Sequence, residues 1–392
     1  MSLQMANDTK PMDQIIDLTR ELPSRIKPLL ELLLGNLVFI GEIPAPTFHE
    51  QKRIKFLVQR FTECGLQNCS IDEKGNGAAI LPGETGEKTI LVAAHADTPF
   101  DSTVNHSFSI SSQYVAGPGA GDNSLGLAVL ATLPTIMARL NLRLQSNLLL
   151  LGTTSSLEKG NQEGIRFFLA NKKTEIAAGI ALEGILLGRL GFRSMATMGG
   201  EIICRFNTLN EKDSGAIDLL NQIIHQLRKR IRQQFNDATL VLGAVDGGAS
   251  YKTPARSARL RFLVRSENDD TIEQTMAQIN QIVAAVQHDS SSQIRFDVIV
   301  RNRAGGLEID DPFIVQTKRI MKALGILPLE INHSTNTSSF MEQGIPALCL
   351  GLTTGENLNY PDERVAIAPI TTGVAQLIGL LFAIDGGCCG QY

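Results

Sequence analysis

Three short stretches place an imidazole or a carboxylate where an apolar run stops. His95-Ala-Asp97 follows the run Thr89-Ile-Leu-Val-Ala-Ala94. Asp122 closes a glycine-rich loop, Gly117-Pro-Gly-Ala-Gly-Asp122-Asn-Ser, just ahead of an apolar helical stretch. Glu183 ends the run that spans 177–182. One imidazole and two carboxylates on three neighbouring strand ends would make a three-ligand zinc site with a position left open for water, the stoichiometry of a catalytic ion. Asp97, two residues beyond His95, is placed to orient the ring. Ordinary readings compete with these. A His-x-Asp turn can lie at any surface, and Asp122 or Asn123 can cap the helix that follows. Glu183 has no capping role of comparable clarity.

Such residues meet only if a parallel sheet lines up its carboxyl ends. The pattern predicts helices over 24–38 and 50–64, strands over 89–94 and 146–153 with a helix over 124–140 between them, and a third strand over 177–182. Strand, helix, strand, helix, strand implies an α/β fold with a mostly parallel, doubly wound sheet, and such sheets carry ligands at their carboxyl ends. The texture changes near Gly188. Strands over 192–205, 239–245, 258–264 and 294–300, with helices over 214–232 and 271–286, give the order βαββαβ of an inserted α+β, ferredoxin-like domain. Arg303-Ala-Gly-Gly306 reads as the return hinge. A helix over 312–324, a strand over 347–350 and a helix over 371–384 complete the main sheet. The division is therefore 1–188 and 305–392 for the main domain and 189–304 for the insert.

At 392 residues with 43% hydrophobic content, the chain can bury more than one core. The net charge of −4 gives no reason to expect nucleic acid or a membrane surface as a partner. Aromatic residues are 5% and Trp is absent, which argues against a carbohydrate-binding face. The six cysteines are scattered, with no CxxC, and read as reduced thiols in a cytoplasm. The first residues are polar and lack an apolar signal core, so no secretion signal is expected.

Taken together, these motifs resemble the zinc exopeptidase family of carboxypeptidase G, peptidase T, aminoacylase and succinyl-diaminopimelate desuccinylase. Further stretches carry the resemblance: Gly247-Gly248 followed by Pro254 and Arg265, the Gly344-Ile-Pro strand, and Asn359-Tyr-Pro-Asp-Glu363 in place of a terminal His-x-x-x-Glu. The resemblance implies that the insert is a lid and a dimerisation domain. It implies one metal on His95, the bridging Asp122 and Glu183. It also implies a second metal on Asp122, a Glu from a Glu-Glu pair and a terminal His, with the first Glu of the pair as general base.

This chain departs from that pattern at several positions. In Thr153-Thr-Ser-Ser-Leu-Glu158 the base position falls on Leu157, with Glu158 surviving as a ligand, or on Ser156 with neither acid kept. Asn359 stands at the terminal His. Glu201 stands where the lid has a His, Tyr251 replaces the Asn of the Gly-Gly motif, and Ser334-Thr-Asn336 ends in Asn rather than Asp. His333 is a candidate replacement imidazole. The expectation is at most one well-held zinc, or none, and a peptide or amino-acid-like ligand bound without efficient hydrolysis. Two alternatives stand beside it: an active zinc exopeptidase or amidohydrolase with unusual ligands, and a non-catalytic assembly subunit.

Overall fold

The computed structural model describes residues 11–209, 214–288, 292–331 and 335–390. It divides into two compact units, one built from residues up to 193 and from 306 onward, the other from Ser194–Gly305. The division falls after Arg193 rather than after 188 because Arg189–Gly191 is still a strand of the first unit's sheet, paired with Ala347–Thr353.

In chain order the first unit contributes β1 (Gln67–Ile71), β2 (Gly77–Leu81), β3 (Thr89–His95), β4 (Asn147–Thr153), β5 (Ala178–Ile185) and β6 (Arg189–Gly191). The second unit supplies β7 (Ala196–Arg205), β8 (Thr239–Gly247), β9 (Ser257–Ser266) and β10 (Gln293–Asn302). The chain then returns to the first unit for β11 (Leu329–Glu330) and β12 (Ala347–Thr353). The large sheet runs β1-β2-β4-β3-β5-β12-β6-β11. Its centre, β4-β3-β5-β12, is parallel, and β1, β2 and β6 enter antiparallel.

The central strands are apolar on both faces, as a covered parallel sheet requires. Along β3, Ile90, Val92 and Ala94 enter one core while Leu91 and Ala93 enter another. That is the period-two alternation of a strand buried from both sides. The first core is completed by α1 (Met12–Ile26), α2 (Leu30–Gly41), α3 (Gln51–Glu63), α4 (Leu125–Arg139) and the C-terminal helix Ile370–Asp385. The second is closed by Ile165, Leu169 and Phe340.

The helix expected over 24–38 is two helices, α1 and α2, joined by a 3₁₀ turn at Lys27–Leu29. Pro28 sits in that turn and has no amide hydrogen to continue the α ladder. No helix among the described residues is long and apolar enough to cross a membrane.

In the second unit the antiparallel sheet β8-β9-β7-β10 is covered by helices Ala216–Gln234 and Asp269–His288. Met198, Ile202, Leu260, Phe262, Ile223 and Ile279 belong to its own core. This is the βαββαβ order expected. β8 is an edge strand that exposes Val241 and Val245.

Candidate metal centre

Strand register decides which side chains meet. Ala93 of β3 is level with Ala181 of β5, so two residues on His95 comes level with Glu183. Asp122 arrives from the loop before α4. Asn123 locks that loop to β5. Its side-chain amide donates to Leu182 O at 2.7 Å, and its Oδ1 accepts from Gly184 N at 3.0 Å and Gly126 N at 3.2 Å. The approach is close enough to demand glycine: a Cβ at Gly184 would lie 2.2 Å from Gly121 O.

His95, Asp122 and Glu183 each offer a donor atom, and the three atoms lie within 4.8 Å of one another. Among the described residues no other three His, Cys, Asp or Glu side chains share such a cluster. His95 is 6% exposed. Its Nδ1 lies 3.0 Å from the Asp97 carbonyl and 3.4 Å from Asp97 Oδ1, while Nε2 lies 2.9 Å from Asp122 Oδ1. With Nδ1–H donated to the Asp97 carbonyl, Nε2 is the nitrogen left for a cation. Burial alone would favour the neutral ring. The hydrogen bonds to Asp122 and Asp97, with the charges of Asp122 and Glu183, outweigh it and hold the imidazole well above its usual value. Three anionic groups around one imidazole are an electrostatic demand for a positive charge, and the donor set suits a divalent ion.

Asp97 does more than orient the ring. Fully buried, it accepts three hydrogen bonds on Oδ2: Thr47 Oγ1 at 2.9 Å, Ser156 N at 2.9 Å and Leu157 N at 2.7 Å. Desolvation would raise its pKa, yet the His95 bond and charge and the Leu157 amide hold it below the usual carboxylate range.

The residues expected at the general-base position, at a second ion and in the lid are placed differently. Ser156 lines a cavity of about 20 Å³ together with His95, Thr153 and Gln162, and its hydroxyl is 3.2 Å from Thr153 Oγ1. Leu157 is half-buried on the same turn. Neither side chain accepts a proton from water. Glu158 is exposed on a single 3₁₀ turn at a φ of 42°, outside the three-donor cluster. Asn359 is exposed at a φ of 68°, and its amide donates to Glu363 Oε2 at 3.4 Å. In the second unit, Glu201 is buried in β7, level with Arg261 and Asp297, and Tyr251 is fully exposed between β8 and β9. Asn336 lies in the short helix Thr335–Met341, but its side chain falls outside the described residues, as do His333 and Ser334.

The structure adds residues that composition did not single out. Glu363 is fully buried, and its Oε1 accepts from Gly121 N at 2.5 Å and Asp122 N at 2.8 Å. Desolvation and the Asp122 charge push it up to about 7. The signal for it was the acid that closes Asn359-Tyr-Pro-Asp-Glu363. Arg53 is 0% exposed and fixes three carbonyls. Its signal was a cation on the apolar face of α3, beside Ile54 and Leu57.

The model of peptidase family M28 matches residues 76–280, more than half of the chain. No curated protein matches in sequence. Among solved structures, the aminopeptidase PepT of Bacillus cereus aligns with a TM-score of 0.70 at 17% identity, over 91% of this chain and 98% of that one. The di-peptidase Dug1p of Saccharomyces cerevisiae aligns at 0.76 and 13%, over 94% and 98%. The YXEP protein of Bacillus subtilis, a dinuclear metal binding peptidase from the M20 family, aligns at 0.65 and 15%, over 91% and 99%. The fold is therefore that of the M28- and M20-type metallopeptidases, and by its own sequence the chain belongs to peptidase family M28.

Proposed function

We propose that this protein holds one divalent ion, zinc by the chemistry of its donors, on His95, Asp122 and Glu183, and binds a peptide or amino-acid-like ligand beside it with little or no hydrolysis. The observation that carries the reading is the contrast inside one site. Three donors converge within 4.8 Å, while in the turn at 155–158 Ser156 and Leu157 offer a hydroxyl and an aliphatic side chain and its one acid, Glu158, is exposed outside the cluster. A bound ion would polarise a carbonyl and lower the pKa of its water. Without a positioned base the proton has no acceptor, a deficit of about 100- to 10,000-fold in rate.

Asp97 would keep His95 in the metal-binding tautomer, and Glu363 would hold the backbone that presents Asp122. A homodimer through the second unit, by way of the exposed edge strand β8, belongs to the same reading. So does a reducing, cytoplasmic setting for its six free cysteines.

The test is metal analysis of protein purified without chelator, with zinc calorimetry and a panel of dipeptides and N-acetyl amino acids. One zinc per chain and no turnover above buffer is the expected result. Two tightly held zincs with robust turnover that disappears in Asp97→Ala would establish the active exopeptidase or amidohydrolase instead. A stable hetero-complex with no small-molecule stabilisation would establish the assembly subunit.

A further inference from the structure

Two buried charged residues, three positions apart at the start of α3, each grip a different loop of the metal centre. Glu50 is 2% exposed, and its Oε1 accepts from Phe48 N at 3.0 Å and from Ser155 N at 2.8 Å. Arg53 is 0% exposed. Its Nε donates to Ile43 O at 2.7 Å, Nη2 to Gly41 O at 3.2 Å and Nη1 to Ala96 O at 3.2 Å. Ala96 is the central residue of His95-Ala-Asp97. Ser155 begins the turn whose next two amides bind Asp97. One helical turn therefore holds both partners of Asp97: the backbone that carries His95 and the backbone at 155–157.

The charges make this arrangement costly unless it is used. A buried carboxylate or guanidinium is tolerated only when hydrogen-bonded and compensated. Desolvation raises Glu50, and the Asp97 charge adds to the rise. Desolvation lowers Arg53 to about 10, and Asp97 opposes that fall. Glu50 and Arg53 thus each feel the Asp97 charge. Ser155 at a φ of 51° is a left-handed residue that the chain does not favour. The Glu50 bond to its amide helps hold it there.

We propose that Glu50 and Arg53 are positioning residues of the metal centre, setting through Ser155 and Ala96 the geometry in which Asp97 fixes the His95 ring. The inference rests on the proposed binding of a divalent ion at His95, Asp122 and Glu183. Residues that orient a ligand from outside the coordination sphere typically change metal affinity by about 10- to 100-fold.

The experiment is zinc titration of the full chain against a competing chelator, for the parent, Glu50→Gln and Arg53→Lys, with the melting temperature of each metal-free protein recorded alongside. Glu50→Gln keeps the shape and removes the charge. Arg53→Lys keeps the charge and loses the three-carbonyl reach. Zinc affinity lowered by about tenfold or more in either folded variant supports the inference. A lower melting temperature with zinc affinity within about twofold of the parent in both variants overturns it, since a merely structural role moves stability alone. Should Glu50→Gln not fold, Arg53→Lys decides. Failure of the parent to bind zinc overturns the proposed metal site and this inference with it, whereas a zinc-binding parent with unaffected variants overturns only the positioning role.

Discussion

Two halves of the candidate metal centre are built to different standards. In the half that carries His95, Asp97, Asp122 and Glu363, all but the partly exposed Asp122 are buried. Three buried side chains hold backbone in it: Asn123 on β5, Glu363 on Gly121 and Asp122, Asp97 on Ser156 and Leu157. The half that would complete a second ion site lies on exposed turns. Glu158 and Asn359 both sit there at positive φ, and neither joins the three-donor cluster. The difference bears on what would fix a metal ligand. Donors count when strand ends and buried amide acceptors hold them before the ion arrives, because otherwise the ion must supply the ordering free energy itself.

The largest way to break this contrast is at its centre. His95→Ala removes the single imidazole, and zinc affinity should fall by more than the roughly 100-fold that outer residues can cost. Competition titration reads it, and retained affinity would place the ion elsewhere.

Next comes the pH response of the buried half. Desolvation and the Asp122 charge raise Glu363 from 4.5 to about 7. A raised carboxyl binds its proton more tightly folded than unfolded. Stability is therefore untouched below about 4.5 and declines as pH climbs toward 7, by on the order of 3 kcal/mol in all. Denaturant melts from about pH 4 to pH 8 should show this decline in the parent and a flatter profile in Glu363→Gln. Saturating zinc should flatten the parent as well, because a cation at Asp122 offsets the charge that lifts Glu363.

The smallest effect sharpens the comparison from the exposed side. Glu158→Gln should leave zinc stoichiometry unchanged and affinity within about twofold, the scale of a solvated surface substitution. A loss of one equivalent of zinc would show that Glu158 is a ligand and that the turn folds inward on binding.

Much of this was legible along the chain. Apolar runs that stop at an acid or a histidine are strand ends of a covered parallel sheet, and they pointed to His95 and Glu183; Asp122, expected on a third strand end, lies instead in the glycine-rich loop before α4. The βαββαβ insert was equally visible, because hydrophobic period and turn chemistry are local properties. The break at Pro28 was there to be read, but the leucines on either side continue one helical period and obscure it. Glu50, Arg53 and Asn123 were not legible as parts of the site. Their partners are backbone groups up to 105 positions away in sequence, and no local pattern records that distance.

The sequence by itself determined which chemical groups exist: an imidazole and a carboxylate on two strands, a second carboxylate in the glycine-rich loop, and Glu158 as the one acid of the turn that follows β4. Side-chain identity is fixed by the code and needs no fold. Only the tertiary structure decided which groups meet, because register between β3 and β5, the Asn123 lock and the buried Glu50, Arg53 and Glu363 contacts are set by packing between distant segments. It also decided that Ser156 shares a cavity with His95 while Glu158 and Asn359 stay in solvent, a choice made by backbone hydrogen bonds to buried acids.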